Sequence, residues 1–376
     1  MKPFWITTLL CSSALFASAD KPSGDQKQTQ VYIGTRSTGI YTTWLNTDTG
    51  TLSQPKLAAK INSSSFLAIH PNQKFLYSCA NIDKTVGAVS CFQIKDDGAL
   101  EAFGTEEING KSLCHISLDS SSQVLMGANY SQGNVVSFPI QKNGSLGKLA
   151  SFHQHEGASV HPRRQTKPHA HSIYHGPANQ FAYAPDLGAD RIFIYSIDPE
   201  TAKLTPAGSA KAPEGAGPRH MKFSKDGKQA YVLNELTVSI SIFDRDSTNG
   251  KLTLKETIST LPEDADKKGI TCSEIRVSQD GKFVYCANRD VANKGRDSIS
   301  AFSVTDTGTL TRIQTLPAES RIPRNINLDP SGKWLLVAGL KTNNIPVFKI
   351  DPTTGMLSYT GQQIEVPSSM CIEFRK

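Results

Sequence analysis

Apolar residues along this chain fall in short runs with a two-residue period, KFVYCAN at 282–288 and SISIF at 239–243 among them. Turn signals of the Asp-Gly, Asn-Gly and Thr-Gly kind separate the runs. A period of two places alternate side chains on opposite faces of a strand, and such turns join neighbouring strands as hairpins. No stretch carries a sustained helical stripe. The pattern predicts an all-β chain.

The runs also recur as a larger unit: an apolar run, a DGK-like turn, a second apolar run ending near Asn, a V-x-x-F strand and a T-G-x-L tail. Copies span 66–107, 113–153, 169–210, 218–259, 272–317 and 323–364. Their spacing of about fifty residues is that of propeller blades. A further copy is split. Residues 31–60 hold only its later strands, and 368–374 (SSMCIEF) supply the missing first one. Ends that complete each other imply a closed ring, so the expected fold is a seven-bladed β-propeller of four-stranded blades whose C-terminal strand joins the N-terminal blade. The repeat also overrides the two or three domains that 376 residues would otherwise suggest, leaving a single domain over 31–376.

Residues 1–19 stand outside that scheme. Lys2 precedes an apolar stretch from Phe4 to Phe16, and Ala17-Ser18-Ala19 fits a signal-peptidase site, so a secretory signal peptide is expected. Residues 20–30 are then a polar lead-in, and the destination is periplasmic or secreted. With Cys11 removed, Cys79, Cys91, Cys114, Cys272, Cys286 and Cys371 remain. Bridges between Cys79 and Cys91 and between Cys272 and Cys286 are conceivable on neighbouring strands, and buried free thiols are the alternative. The net charge of +6 comes from lysines scattered through turns, which gives neither the stripe that nucleic acid requires nor an amphipathic membrane helix.

Chemistry has to come from what differs between copies at equivalent positions. One column, at the start of each innermost strand, reads Ser65, Cys114, His171, Arg219, Ser273 and Arg324. The next reads Phe66, His115, Ser172, His220, Glu274 and Asn325. A third, just past the second strand, reads Arg36, Asn81, Tyr130, Leu187, Glu235, Arg289 and Leu340. The first two strands of a blade are antiparallel, so these columns are expected at one mouth of the central channel. Arginines, histidines and carboxylates crowded there would perturb one another's pKa, as acid-base sites do.

The segments GPRHMKFSKDGKQAYVLNE (217–235), SEIRVSQDGKFVYCANR (273–289), PHAHSIY (168–174) and IPRNINLDPSGKWLLVAG (322–339) resemble the seven-bladed lactonase family. That family includes bacterial propeller-type 6-phosphogluconolactonases and fungal carboxymuconate-lactonising enzymes. The resemblance runs from Val31 onward. It implies an active-site histidine at His171, an arginine at Arg219 and an acid-base glutamate at Glu235, with a further arginine at Arg289 in preference to Arg276. Arg324, Glu274, His220, Arg36 and His169 complete the expected substrate-binding set. The implied chemistry is hydrolysis of an anionic sugar-type lactone, with Glu235 moving the proton and Arg219 and His171 holding the anion or polarising the carbonyl. An arginine clamp is the competing role for Glu235.

Residues 153–167 (HQHEGASVHPRRQTK) form an insertion on the same face and suit a lid. Their histidines, with His169-x-His171, raise metal binding as an option, but the family implies none, and no cofactor is expected. Export fits poorly with a phosphorylated intermediate of cytosolic metabolism, so an unphosphorylated aldonolactone or an aromatic-catabolism lactone stands beside it. A non-catalytic exported propeller that binds an anionic ligand or protein, and a lactonising cyclase, remain the alternatives.

Overall fold

A computed structural model describes residues 27–376 apart from 38, 84 and 109. The expected signal peptide and most of the lead-in lie outside these residues. Among the described residues 28 strands form seven four-stranded antiparallel sheets. The only helical element among them is the 3-10 turn Pro177–Asn179. The first strand starts at Gln28, three residues ahead of the expected boundary. It pairs with the last strand, Ser369–Arg375, in register from Gln30↔Arg375 to Gly34↔Cys371. The split blade is therefore completed across the two ends of the chain.

The strand sequences grade from the channel outward. Second and third strands such as Gln229–Asn234 and Ser239–Arg245 are buried nearly throughout, because neighbouring blades cover both of their faces. Outermost strands such as Leu252–Ser259 expose most of their length and carry Lys and Glu. The core accordingly lies between blades, in clusters such as Leu76, Val89, Leu125 and Val136.

The recurring tyrosine and the T-G-x-L tail belong to one inter-blade clasp. Tyr32, Tyr77, Tyr183, Tyr231 and Tyr285 donate their hydroxyls to the carbonyls of Gly98, Gly144, Gly250, Gly308 and Gly355, each in the next blade, at 2.9 to 3.0 Å. Each of these glycines has φ between +71° and +85°. At Gly250 an added Cβ would also stand within 2.8 Å of the Phe181 ring of the preceding blade, so the turn needs glycine on both counts.

All six described cysteines are free thiols. Cys79 pairs in register with Val89 and Cys91 with Tyr77, so the two thiols do not face one another.

Candidate active site

Bulges set the innermost strands to work. Strand register slips between Pro218 and His220, between Cys272 and Ile275, and between Pro323 and Asn325. Arg219 and Arg324 are the extra residues, so they escape strict alternation, which is how a bulge re-aims a side chain.

Arg36, Cys114, Tyr130, His171, Glu235 and Arg324 line a cavity of about 400 Å3 at one mouth of the ring, and Arg164 reaches into it from the insertion. Glu235 is the hub. Its Oε2 accepts from Arg219 Nε at 2.9 Å and lies 3.1 Å from Arg289 Nη2. Its Oε1 accepts from Arg164 Nη2 at 2.7 Å. Burial alone would raise this carboxyl, but Arg289 and Arg219, with His171 and Arg164, hold it well below the usual carboxylate range. His171 Nε2 stands 3.9 Å from the same Oε2. Burial, helped by Arg219 and His220, pushes its imidazole well below the ordinary value and keeps it neutral near pH 7.

Arg219 and Arg289 do not line the cavity. They stand behind Glu235, 2 % and 5 % exposed, and are further fixed by the carbonyls of Ser273 and Cys272. Arg324 is different. Among the described residues its side chain makes no hydrogen bond or ion pair, and burial together with Arg219 and Arg289 disfavours its charge. An anion in the cavity would offset that cost.

The insertion is a strap pinned at its base. Buried Gln165 donates to Asp190 at 2.6 Å and to the Leu187 carbonyl at 2.9 Å, and Ser159 donates to Asp190 at 2.5 Å. This holds Arg164 over the cavity, where it also donates to the Tyr130 hydroxyl at 3.0 Å. His155 is consumed by Asp186 and Tyr195, at 2.7 and 2.9 Å. Among the described residues no group of three or more His, Cys, Asp or Glu side chains could hold a metal ion.

The remaining expected residues lie elsewhere. His169 stacks on Tyr130 with ring centroids 4.4 Å apart and supports it from the side. His220 and Glu274 sit one layer deeper, where Phe66, His115 and His220 bring their rings within 6 Å of one another and plug the channel. Glu274 there accepts from His220 at 3.0 Å, Asn325 at 2.7 Å and Arg276 at 2.6 Å. Arg276 itself opens onto the opposite mouth. Arg164, Tyr130 and Cys114 were not among the expected site residues. The unequal length of the insertion was the sequence signal for the first, and the columns already held the other two.

Residues 30–374 match the family model described as lactonase, 7-bladed beta-propeller. A 6-phosphogluconolactonase of Bacillus subtilis is 36 % identical over 349 residues, covering 91 % of this chain and 97 % of the relative. A 6-phosphogluconolactonase of Formosa agariphila is 31 % identical over 89 % of this chain and 95 % of its own length. The structure of a periplasmic gluconolactonase of Pseudomonas aeruginosa superposes with a TM-score of 0.86, with 29 % identity over 93 % of this chain and 99 % of that one. The chain belongs to the seven-bladed β-propeller lactonase family.

Proposed function

We propose that this lactonase hydrolyses an anionic sugar-type lactone at the arginine-edged mouth, outside the cytoplasm. The observation that carries the reading is the pairing of a neutral imidazole, His171, with unpaired Arg324 in one cavity. Glu235 is too firmly held by guanidiniums to be a strong base, so the base is assigned to His171 and the clamp role to Glu235. A water molecule loses a proton to the imidazole as its oxygen attacks the lactone carbonyl carbon. Arg324 stabilises the oxyanion, Arg36 and Arg164 face the substrate's anionic group, and Glu235 offsets the imidazolium. When the ring C–O bond breaks, His171 returns the proton to the departing oxygen and a hydroxy acid remains. Arg219 and Arg289 are positioning residues that aim Glu235.

Export is supported by the leader pattern of residues 1–19 and by the likeness to a periplasmic gluconolactonase. It favours an unphosphorylated lactone whose anionic group is a second carboxylate, with hydroxyls that would meet Ser65, Tyr130 and Arg164. The test is a screen of phosphorylated, carboxylate-bearing and neutral sugar-type lactones by base-consumption assay, with the His171→Ala protein in parallel. Hydrolysis of at least one lactone by the wild type and its loss in the variant is the expected result. Absence of hydrolysis on every lactone, with tight anion binding, would favour the binding-module reading.

A further inference from the structure

The first column of the repeat ends at one mouth, and the column three positions along the same strands ends at the other. It reads Ala68, Ser117, Tyr174, Lys222, Arg276, Asn327 and Glu373. A rise of about 3.3 Å per residue separates the two levels by about 10 Å, with the ring plug between them. Two cavities of about 310 and 460 Å3 open here and share Lys222, Arg276 and Glu373.

The polar groups at this mouth are left open. No carboxylate lies within 4 Å of Lys222 Nζ among the described residues, and its contact is the face of the Tyr174 ring, 4.0 Å from the centroid. Arg276 commits Nε to Asn327 at 3.0 Å and Nη1 to Glu274 at 2.6 Å, and its Nη2 has no protein partner among the described residues. The side chain of Glu373 makes no hydrogen bond or ion pair there either. Half-buried groups of both signs that do not satisfy one another are costly unless a ligand or solvent completes them.

We infer that this opposite mouth is a second binding site, for a small hydroxy acid whose carboxylate sits between Lys222 and Arg276 and whose hydroxyls meet Glu373. Two cationic donors side by side select a carboxylate, and the Glu373 carboxyl beside them selects hydroxyls over a bare anion. Burial and the Arg276 charge press the Lys222 amine down to about 7, and burial lifts Glu373 up to about 7. Both groups can therefore adjust their protons to a ligand near neutrality. The inference does not depend on the lactonase reading, because none of these three groups lines the first cavity.

Calorimetric titration tests it, with gluconate, inorganic phosphate and glucose as probes. The protein is the Arg324→Ala variant, which weakens the first mouth, with and without Lys222→Met. Gluconate is expected to bind the single variant, at least about tenfold more tightly than phosphate or glucose, and to lose about tenfold or more when Lys222→Met is added, as removal of one charge-assisted contact would. The Glu373→Gln variant should show a similar loss, and it keeps the side chain's size if Lys222→Met disturbs folding. Lactone turnover of the Lys222→Met protein should stay within about twofold of the wild type. Gluconate binding indifferent to both Lys222 and Glu373, or no binding at all, overturns the site. Equal Lys222-dependent binding of phosphate overturns the hydroxy-acid assignment. Turnover is read on separate samples, so failure of the lactonase reading would leave these outcomes intact.

Discussion

The two mouths of this ring are built from equivalent positions of one repeat and end with opposite electrostatic states. At the first mouth the lone carboxylate, Glu235, is held by three guanidiniums, and the surplus positive charge of Arg324 and Arg36 faces the cavity. At the second, Lys222, Arg276 and Glu373 are closer to balance in sign, yet only Arg276 has found an ionic partner, in Glu274. Fixed charges with one unfilled position suit transition-state stabilisation, which needs dipoles that do not reorganise. Unpaired groups of both signs suit reversible binding of something polyfunctional. The ring plug of Phe66, His115 and His220 keeps the two regimes apart.

The sharpest way to break this comparison is at His171. His171→Ala should lower kcat by about 10²–10⁴-fold, the usual worth of a general base, with the thermal transition little changed. A matching loss in Lys222→Met would merge the two mouths into one functional unit. Next in size, Arg324→Met should lower kcat about ten- to a hundredfold, since the hydrogen bond it gives the oxyanion, to a charged group, is worth about 1.5–3 kcal/mol. Neutral and anionic lactones should lose alike in steady-state assays, because both form the same oxyanion.

Acidity separates the mouths further. His115, His171 and His220 are each held well below the ordinary histidine value, first by burial. The unfolded chain takes up these protons near pH 6.5 and the native protein does not, so stability is present above that pH and is lost as pH falls below it. Glu373 works the other way: raised to about 7, it stays protonated in the native state, and its contribution is lost as pH rises through 7. Three histidines against one carboxyl predict a net loss on the order of 2 kcal/mol from pH 6.5 to 5.5, measurable by denaturant titration. The acid limb of kcat/KM should lie well below 6.5, because the base is His171; a limb at or above 6.5 would contradict that assignment. The smallest expected effect is that of Arg164→Ala, a few-fold rise in KM, because the side chain is about one-third exposed and solvent screens its pairing with Glu235.

The ring was legible in the sequence because each copy carries its own turns and strand pattern, and because the split copy betrays its closure. The columns also brought Arg36, His171, Glu235 and Arg324 to one cavity. They misjudged depth. His220 and Glu274 are adjacent in sequence to mouth residues, yet they fall into the plug, since a step of one residue along an innermost strand is a step down the channel. Arg276 shows the same geometry carried to the far end. Bulges at Arg219 and Arg324 were not readable from the two-residue period, which they interrupt. The insertion at 153–167 was legible as a strap on this face, but which of its side chains enters the cavity was not: the place of Arg164 is set by the tether of Gln165 to Asp190, a contact across 25 residues that no local pattern encodes.

The seam between the first and last strands has a mechanical meaning. Gln28 and Arg375 lie at the same end of their antiparallel pair. A load applied at the chain termini would therefore act like a zip, opening the ladder from Gln30↔Arg375 inward one bond at a time. The ring should thus yield to low force at that seam, and a tether placed across it would be the economical way to toughen it.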